Sequence, residues 1–65
     1  MKTTKTTVEQ VEAILESVRA SLYLRPTGSG YAAVIVYGSD EFTFSAPSMS
    51  KAIIGAAVEA GLVSK

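Results

Sequence analysis

Seven consecutive apolar residues, Tyr31-Ala-Ala-Val-Ile-Val-Tyr37, stand between two glycine-bearing turns. The run is too short for a buried helix and rich in β-branched and aromatic residues, so it predicts a strand. Both of its faces are apolar: Ala32, Val34 and Val36 on one, Tyr31, Ala33, Ile35 and Tyr37 on the other. A sheet with one wet face alternates apolar and polar residues, so this strand predicts cover on two sides. Few folds of 65 residues can supply that cover from within one chain.

The segments around this strand define the rest. Pro26-Thr27-Gly28-Ser29-Gly30 and Gly38-Ser39-Asp40 read as turns. Before the first, Ser21 to Arg25 alternates, with Leu22 and Leu24 opposed to Tyr23 and Arg25. After the second, Glu41 to Ser45 alternates, with Phe42 and Phe44 opposed to Thr43 and Ser45. Three strands on short turns make an antiparallel meander. Ahead of it, Val8, Val11, Leu15, Val18 and Leu22 recur at helical steps, with Glu9, Glu12, Glu16 and Arg19 on the other side. This predicts an amphipathic helix over 7–20, with Thr6 or Thr7 as its cap and Glu9 or Gln10 completing a capping box. After the meander, Pro47 stops the strand and Ser48 caps a second helix over 49–60, ended by Gly61 with Leu62 as the apolar contact.

The predicted fold is therefore α+β, in the order α-β-β-β-α, a three-stranded antiparallel meander with two helices packed on one face. Residues 1–6 read as a flexible tail and 7–65 as one domain. Leu22, Leu24, Phe42 and Phe44 are expected to join Val34 and Val36 beneath the helices. That leaves Tyr23, Arg25, Tyr31, Ile35 and Tyr37 on the open sheet face as a partner-binding set, because tyrosine and arginine dominate binding hot spots. The last helix carries only Lys51 and Glu59 as charges and is apolar nearly all round. Helices of that kind are buried on more than one side, so Ala52, Gly55, Ala56, Val58 and Glu59 are the expected self-association surface.

Composition narrows the chemistry. The chain has no Cys and no His, six basic and six acidic residues, and a net charge of zero. A disulfide and a closed zinc site are excluded, and the usual general base at neutral pH is missing. No metal and no cofactor is expected. The hydrophobic fraction is 48%, high for a chain with so little interior, and this predicts apolar surface that a second macromolecule covers. A zero net charge disfavours nonspecific nucleic-acid binding. The polar start of the chain lacks an apolar secretory core, and no apolar run approaches the roughly 20 residues that span a bilayer, so a cytoplasmic protein is expected.

Four short patterns have chemical counterparts. Ser48-Met49-Ser50-Lys51 has the spacing of serine acyl-enzymes, but Ser48 is better placed as a helix cap. Gly28-Ser29-Gly30 resembles part of a phosphate loop, but a strand follows it, not a helix N-terminus. Asp40 and Glu41 are neighbours on a strand and face opposite ways. Glu12 and Glu16 share a solvated helix face. No catalytic residue is assigned, and a small-molecule substrate is not expected.

The element order resembles that of double-stranded RNA-binding domains, and Ser50-Lys51 matches the start of their last helix. That resemblance implies an RNA-binding role with lysines gripping phosphates across the major groove. The two further lysine positions hold Ala52 and Gly55. The expected function is a small non-catalytic protein-binding module acting by stoichiometric association. It would be an inhibitor or adaptor of the type found among phage host- or defence-modulating proteins, a viral protein in that case, with another protein as partner and itself in a homodimer. The alternatives are a nucleic-acid-binding or transcription-related module using Lys2, Lys5, Arg25 and Lys51, and a structural subunit of a symmetric homo-oligomer.

Overall fold

The computed structural model describes residues 7–63. The elements run α1 (Val8–Val18), β1 (Ser21–Thr27), β2 (Gly30–Tyr37), β3 (Asp40–Ala46) and α2 (Met49–Glu59). The sheet order is β1-β2-β3, antiparallel throughout. This is the α+β order read from the sequence, with both helices on one sheet face. The tail reading for residues 1–6 lies outside the described residues.

Each helix begins and ends on identifiable chemistry. Thr7 and Gln10 form a reciprocal capping box: Gln10 N donates to Thr7 Oγ1 at 3.2 Å, and Thr7 N donates to Gln10 Oε1 at 3.0 Å. Ser48 Oγ accepts from Lys51 N at 3.3 Å at the start of α2. At its end, Leu62 N donates to Ala57 O and Gly61 N to Val58 O, both at 3.0 Å, and Gly61 has φ +75°. That is a Schellman motif with glycine in the left-handed position. α1 ends in the same pattern, Ala20 N to Leu15 O at 2.8 Å, but Arg19 occupies the left-handed position with φ 61°. Arg19 is the one non-glycine residue with positive φ among those described.

Two-residue turns join the strands. Thr27 pairs with Gly30 around Gly28-Ser29, and Tyr37 pairs with Asp40 around Gly38-Ser39. Gly38 has φ +66° and Ser39 does not share that sign, which fits a turn with glycine at its first central position. These short turns fix the register completely. Leu22 lies opposite Ile35, which lies opposite Phe42; Leu24 lies opposite Ala33, which lies opposite Phe44.

The core follows from that register. Val11 and Leu15 of α1, Ala33 and Ile35 of β2, and Ala52, Ile53, Ala56 and Ala57 of α2 form one buried cluster. Leu22, Leu24, Tyr31, Ile54, Leu62 and Val63 pack partly buried around it. Ile35 and Val11 are its largest fully buried side chains. Its alanines let α2 approach the sheet closely, and α2 lies over β2 and β3 while α1 lies beside α2 and β1. The helix-covered face is therefore that of Ala33 and Ile35, not that of Val34 and Val36 as the sequence reading expected.

Candidate functional site: the open face of the sheet

Three rows of residues make up the face opposite the helices. Each row crosses the sheet at one level: Ser21, Val36 and Glu41; Tyr23, Val34 and Thr43; Arg25, Ala32 and Ser45. Tyr23 is 59% exposed, the most open of the large apolar side chains, and Arg25, Thr43 and Ser45 are exposed as well. The middle of the face is small and apolar, with Ala32 at 8% and Val34 at 7% exposure. Ala32 and Val34 are thus nearly closed off by their neighbours, and the accessible surface is the Tyr23 ring and the Arg25 guanidinium on one side and the Thr43 and Ser45 hydroxyls on the other. Surfaces of this composition suit protein contact, since Tyr and Arg supply large contact area with a polar tip.

The predicted partner-binding set divides between two faces. Tyr23 and Arg25 are on the open face. Ile35 is fully buried in the core and Tyr31 packs against that core, so both belong beneath the helices. Tyr37 shares their parity and is 39% exposed at the end of β2. The physical reason is the turn length. A two-residue turn pairs odd with even positions, so Leu22 and Leu24 must share a face with Ile35 and Ala33. Reading Pro26–Gly30 as a five-residue turn loses that constraint. The signal in the sequence is the two-residue turn chemistry at Gly28-Ser29 and Gly38-Ser39, which sets that parity and puts Ala32, Val34, Thr43 and Ser45 on the face opposite the helices.

The self-association set on α2 divides in the same way. Ala52 and Ala56 are fully buried in the chain's own core, so they offer nothing to a second chain. Gly55 is a packing notch: a Cβ there would meet the Phe44 ring, whose Cγ would stand only 2.8 Å away. Val58 is half-buried and Glu59 exposed on the outer side of the helix, beside exposed Ser50 and Lys51. Within the chain, β2, β3 and α1 cover one part of α2 and leave its Lys51 and Glu59 side open.

Ser48 Oγ is engaged as the α2 cap. No polar or charged residue is buried among the described residues, and no group of three or more His, Cys, Asp or Glu side chains converges. An open hollow of about 250 Å³ between the β1–β2 turn and the start of α2 is lined by Thr27, Ser29, Ser45, Ala46 and Pro47. Its lining bears hydroxyls but no carboxylate, amine or guanidinium. Of the four cations assigned to a nucleic-acid reading, Lys2 and Lys5 lie outside the described residues. Arg25 projects from the open sheet face and Lys51 from α2 on the other side, so those two do not form one patch.

Comparison with protein-family models, with curated proteins and with solved structures finds no match. None of these comparisons supports the resemblance to double-stranded RNA-binding domains. No helix among the described residues is long and apolar enough to cross a membrane.

Proposed function

We propose that this chain is a non-catalytic binding module that engages another protein through the open face of its sheet, as a stoichiometric inhibitor or adaptor. The observation that carries the reading is a 59% exposed tyrosine, Tyr23, standing two residues from exposed Arg25 on the uncovered side of β1, with Ala32 and Val34 nearly closed off between them and β3. A complementary surface would pack an apolar side chain against the Tyr23 ring and a carboxylate against Arg25. Charge-assisted contact of that kind fixes orientation, while the aromatic ring contributes most of the buried area.

Truncation provides the test. In titration calorimetry against a partner isolated from the native source, Tyr23→Ala is expected to weaken a one-to-one complex by about 2 kcal/mol or more, the size of a hot-spot residue. Arg25→Ala is expected to weaken it less. Unchanged affinity in both variants would remove the sheet face from the interface. A nucleic-acid role is separated by salt: phosphate contacts make affinity fall steeply as salt is added, and no gel shift at low salt eliminates it. The phage-type setting and a cytoplasmic location belong to this same proposal.

A further inference from the structure

We infer that β3 is a self-pairing edge, and that two copies of this chain join their sheets through it into one of six strands. This goes beyond the sheet-face reading and uses a different surface. Hydrogen bonding along a hairpin alternates from the pair that closes a two-residue turn. Tyr37 and Asp40 are that pair. Asp40, Phe42, Phe44 and Ala46 therefore direct their backbone groups to β2. Glu41, Thr43 and Ser45 direct theirs away from it, and all three are exposed. Among the described residues no other hydrogen bond reaches these groups.

The two edges of the sheet differ in how they are guarded. On β1 the same alternation turns Leu22, Leu24 and Pro26 outward, and Pro26 has no N–H to give. Proline on an edge is a common block to pairing. β3 holds no proline and no lysine or arginine between Asp40 and Ala46. Pro47 follows directly and limits how far a partner strand can slide.

A two-fold axis at Thr43 satisfies every requirement at once. It sets Thr43 opposite Thr43 of the second copy and Glu41 opposite Ser45, so each outward N–H meets an outward C=O. On the helix side it sets Phe42 opposite Phe44, an aromatic cross-strand pair. No two like charges lie opposite one another. Sliding by two residues in one direction places Pro47 opposite Glu41 and loses a donor.

The helices fit the same axis. Because α2 lies over β2 and β3, the two copies of α2 come to stand two strand spacings apart. That is about 10 Å, an ordinary distance for packed helices. The row facing the axis is Lys51, Gly55 and Glu59. Antiparallel helices centred near Gly55 bring Lys51 of one copy towards Glu59 of the other, so their charges attract. The 37% exposed Phe44 ring, seated at Gly55, is covered in the same step.

Sedimentation equilibrium of the full chain is expected to show a monomer–dimer equilibrium. Thr43→Pro removes an outward N–H and fixes φ at an edge position that tolerates proline, and is expected to yield a monomer with little change in far-UV circular dichroism. Thr43→Lys places two ammonium groups opposite each other at the axis and is expected to do the same, so it decides the matter if the proline variant loses structure. Lys51→Glu is expected to raise the dissociation constant about tenfold, a 1.4 kcal/mol change, and adding Glu59→Lys to restore it. A wild-type chain that stays monomeric, or a dimer that persists in both Thr43 variants, overturns the pairing. Tyr23→Ala is expected to leave the dimer intact, so failure of the edge and failure of the sheet-face reading remain distinguishable.

Discussion

At the scale of single residues, three positions are set by backbone conformation or by close contact. Arg19 holds a left-handed conformation that costs an L-residue about 1 kcal/mol or more. Glycine is the usual occupant of that position, so Arg19→Gly is expected to raise the unfolding free energy measured in urea by about 0.5–1 kcal/mol despite the added freedom of the unfolded chain. Gly30 is the opposite case. Its φ is +159°, and a Cβ there would press on the Ala46 carbonyl and stand 2.7 Å from Pro47 Cα. Neither neighbour is a flexible side chain, so Gly30→Ala is expected to cost on the order of 2 kcal/mol in urea unfolding. At Gly55 helix propensity favours alanine by about 1 kcal/mol, but the Phe44 ring occupies the space. Gly55→Ala is expected to destabilise wild type and to stabilise a Phe44→Leu background, a sign change that a double-mutant cycle detects directly.

At the scale of elements, the sequence carried the number, kind and order of the segments closely. Predicted helices at 7–20 and 49–60 became Val8–Val18 and Met49–Glu59, and the strands each gained residues at their turns. Caps made this possible, because Thr7, Ser48 and Gly61 mark helix ends by their own chemistry. The choice of sheet face was not legible from apolar pattern, because β2 is apolar on both sides. Only turn length could decide it, through the odd–even pairing across Gly28-Ser29. The candidate set divides accordingly: Tyr23 and Arg25 lie on the open face, while Ile35 and Tyr31 lie beneath the helices. On α2 the four buried residues Ala52, Ile53, Ala56 and Ala57 pack into the cluster shared with the sheet and α1, while Val58 stays half-buried on the outer side. Two substitutions separate these sides. Ala56→Glu puts a carboxylate where exposure is zero and is expected to unfold the chain, whereas Val58→Glu, on the half-buried outer side, is expected to leave a cooperative transition. Thermal melts followed by circular dichroism distinguish the two outcomes.

At the scale of the whole molecule, the core is small and built largely of alanine, with Ile35 and Val11 as its largest fully buried side chains. Burial of that modest extent gives little margin over chain entropy. With neither Cys nor His in the sequence, chelators and reductants are expected to leave the melting temperature unchanged. Association through the β3 edge would instead make that temperature rise with protein concentration, and a scan over a hundredfold range of concentration measures it.

The strand order β1-β2-β3 also has a kinetic meaning. Every hydrogen-bonded strand pair joins segments adjacent along the polypeptide, and two tight bends close both ladders. Little loop entropy is lost before native contacts begin to form. Stopped-flow refolding should therefore be complete within milliseconds, with no slow phase other than one traceable to the X–Pro bonds at Pro26 and Pro47.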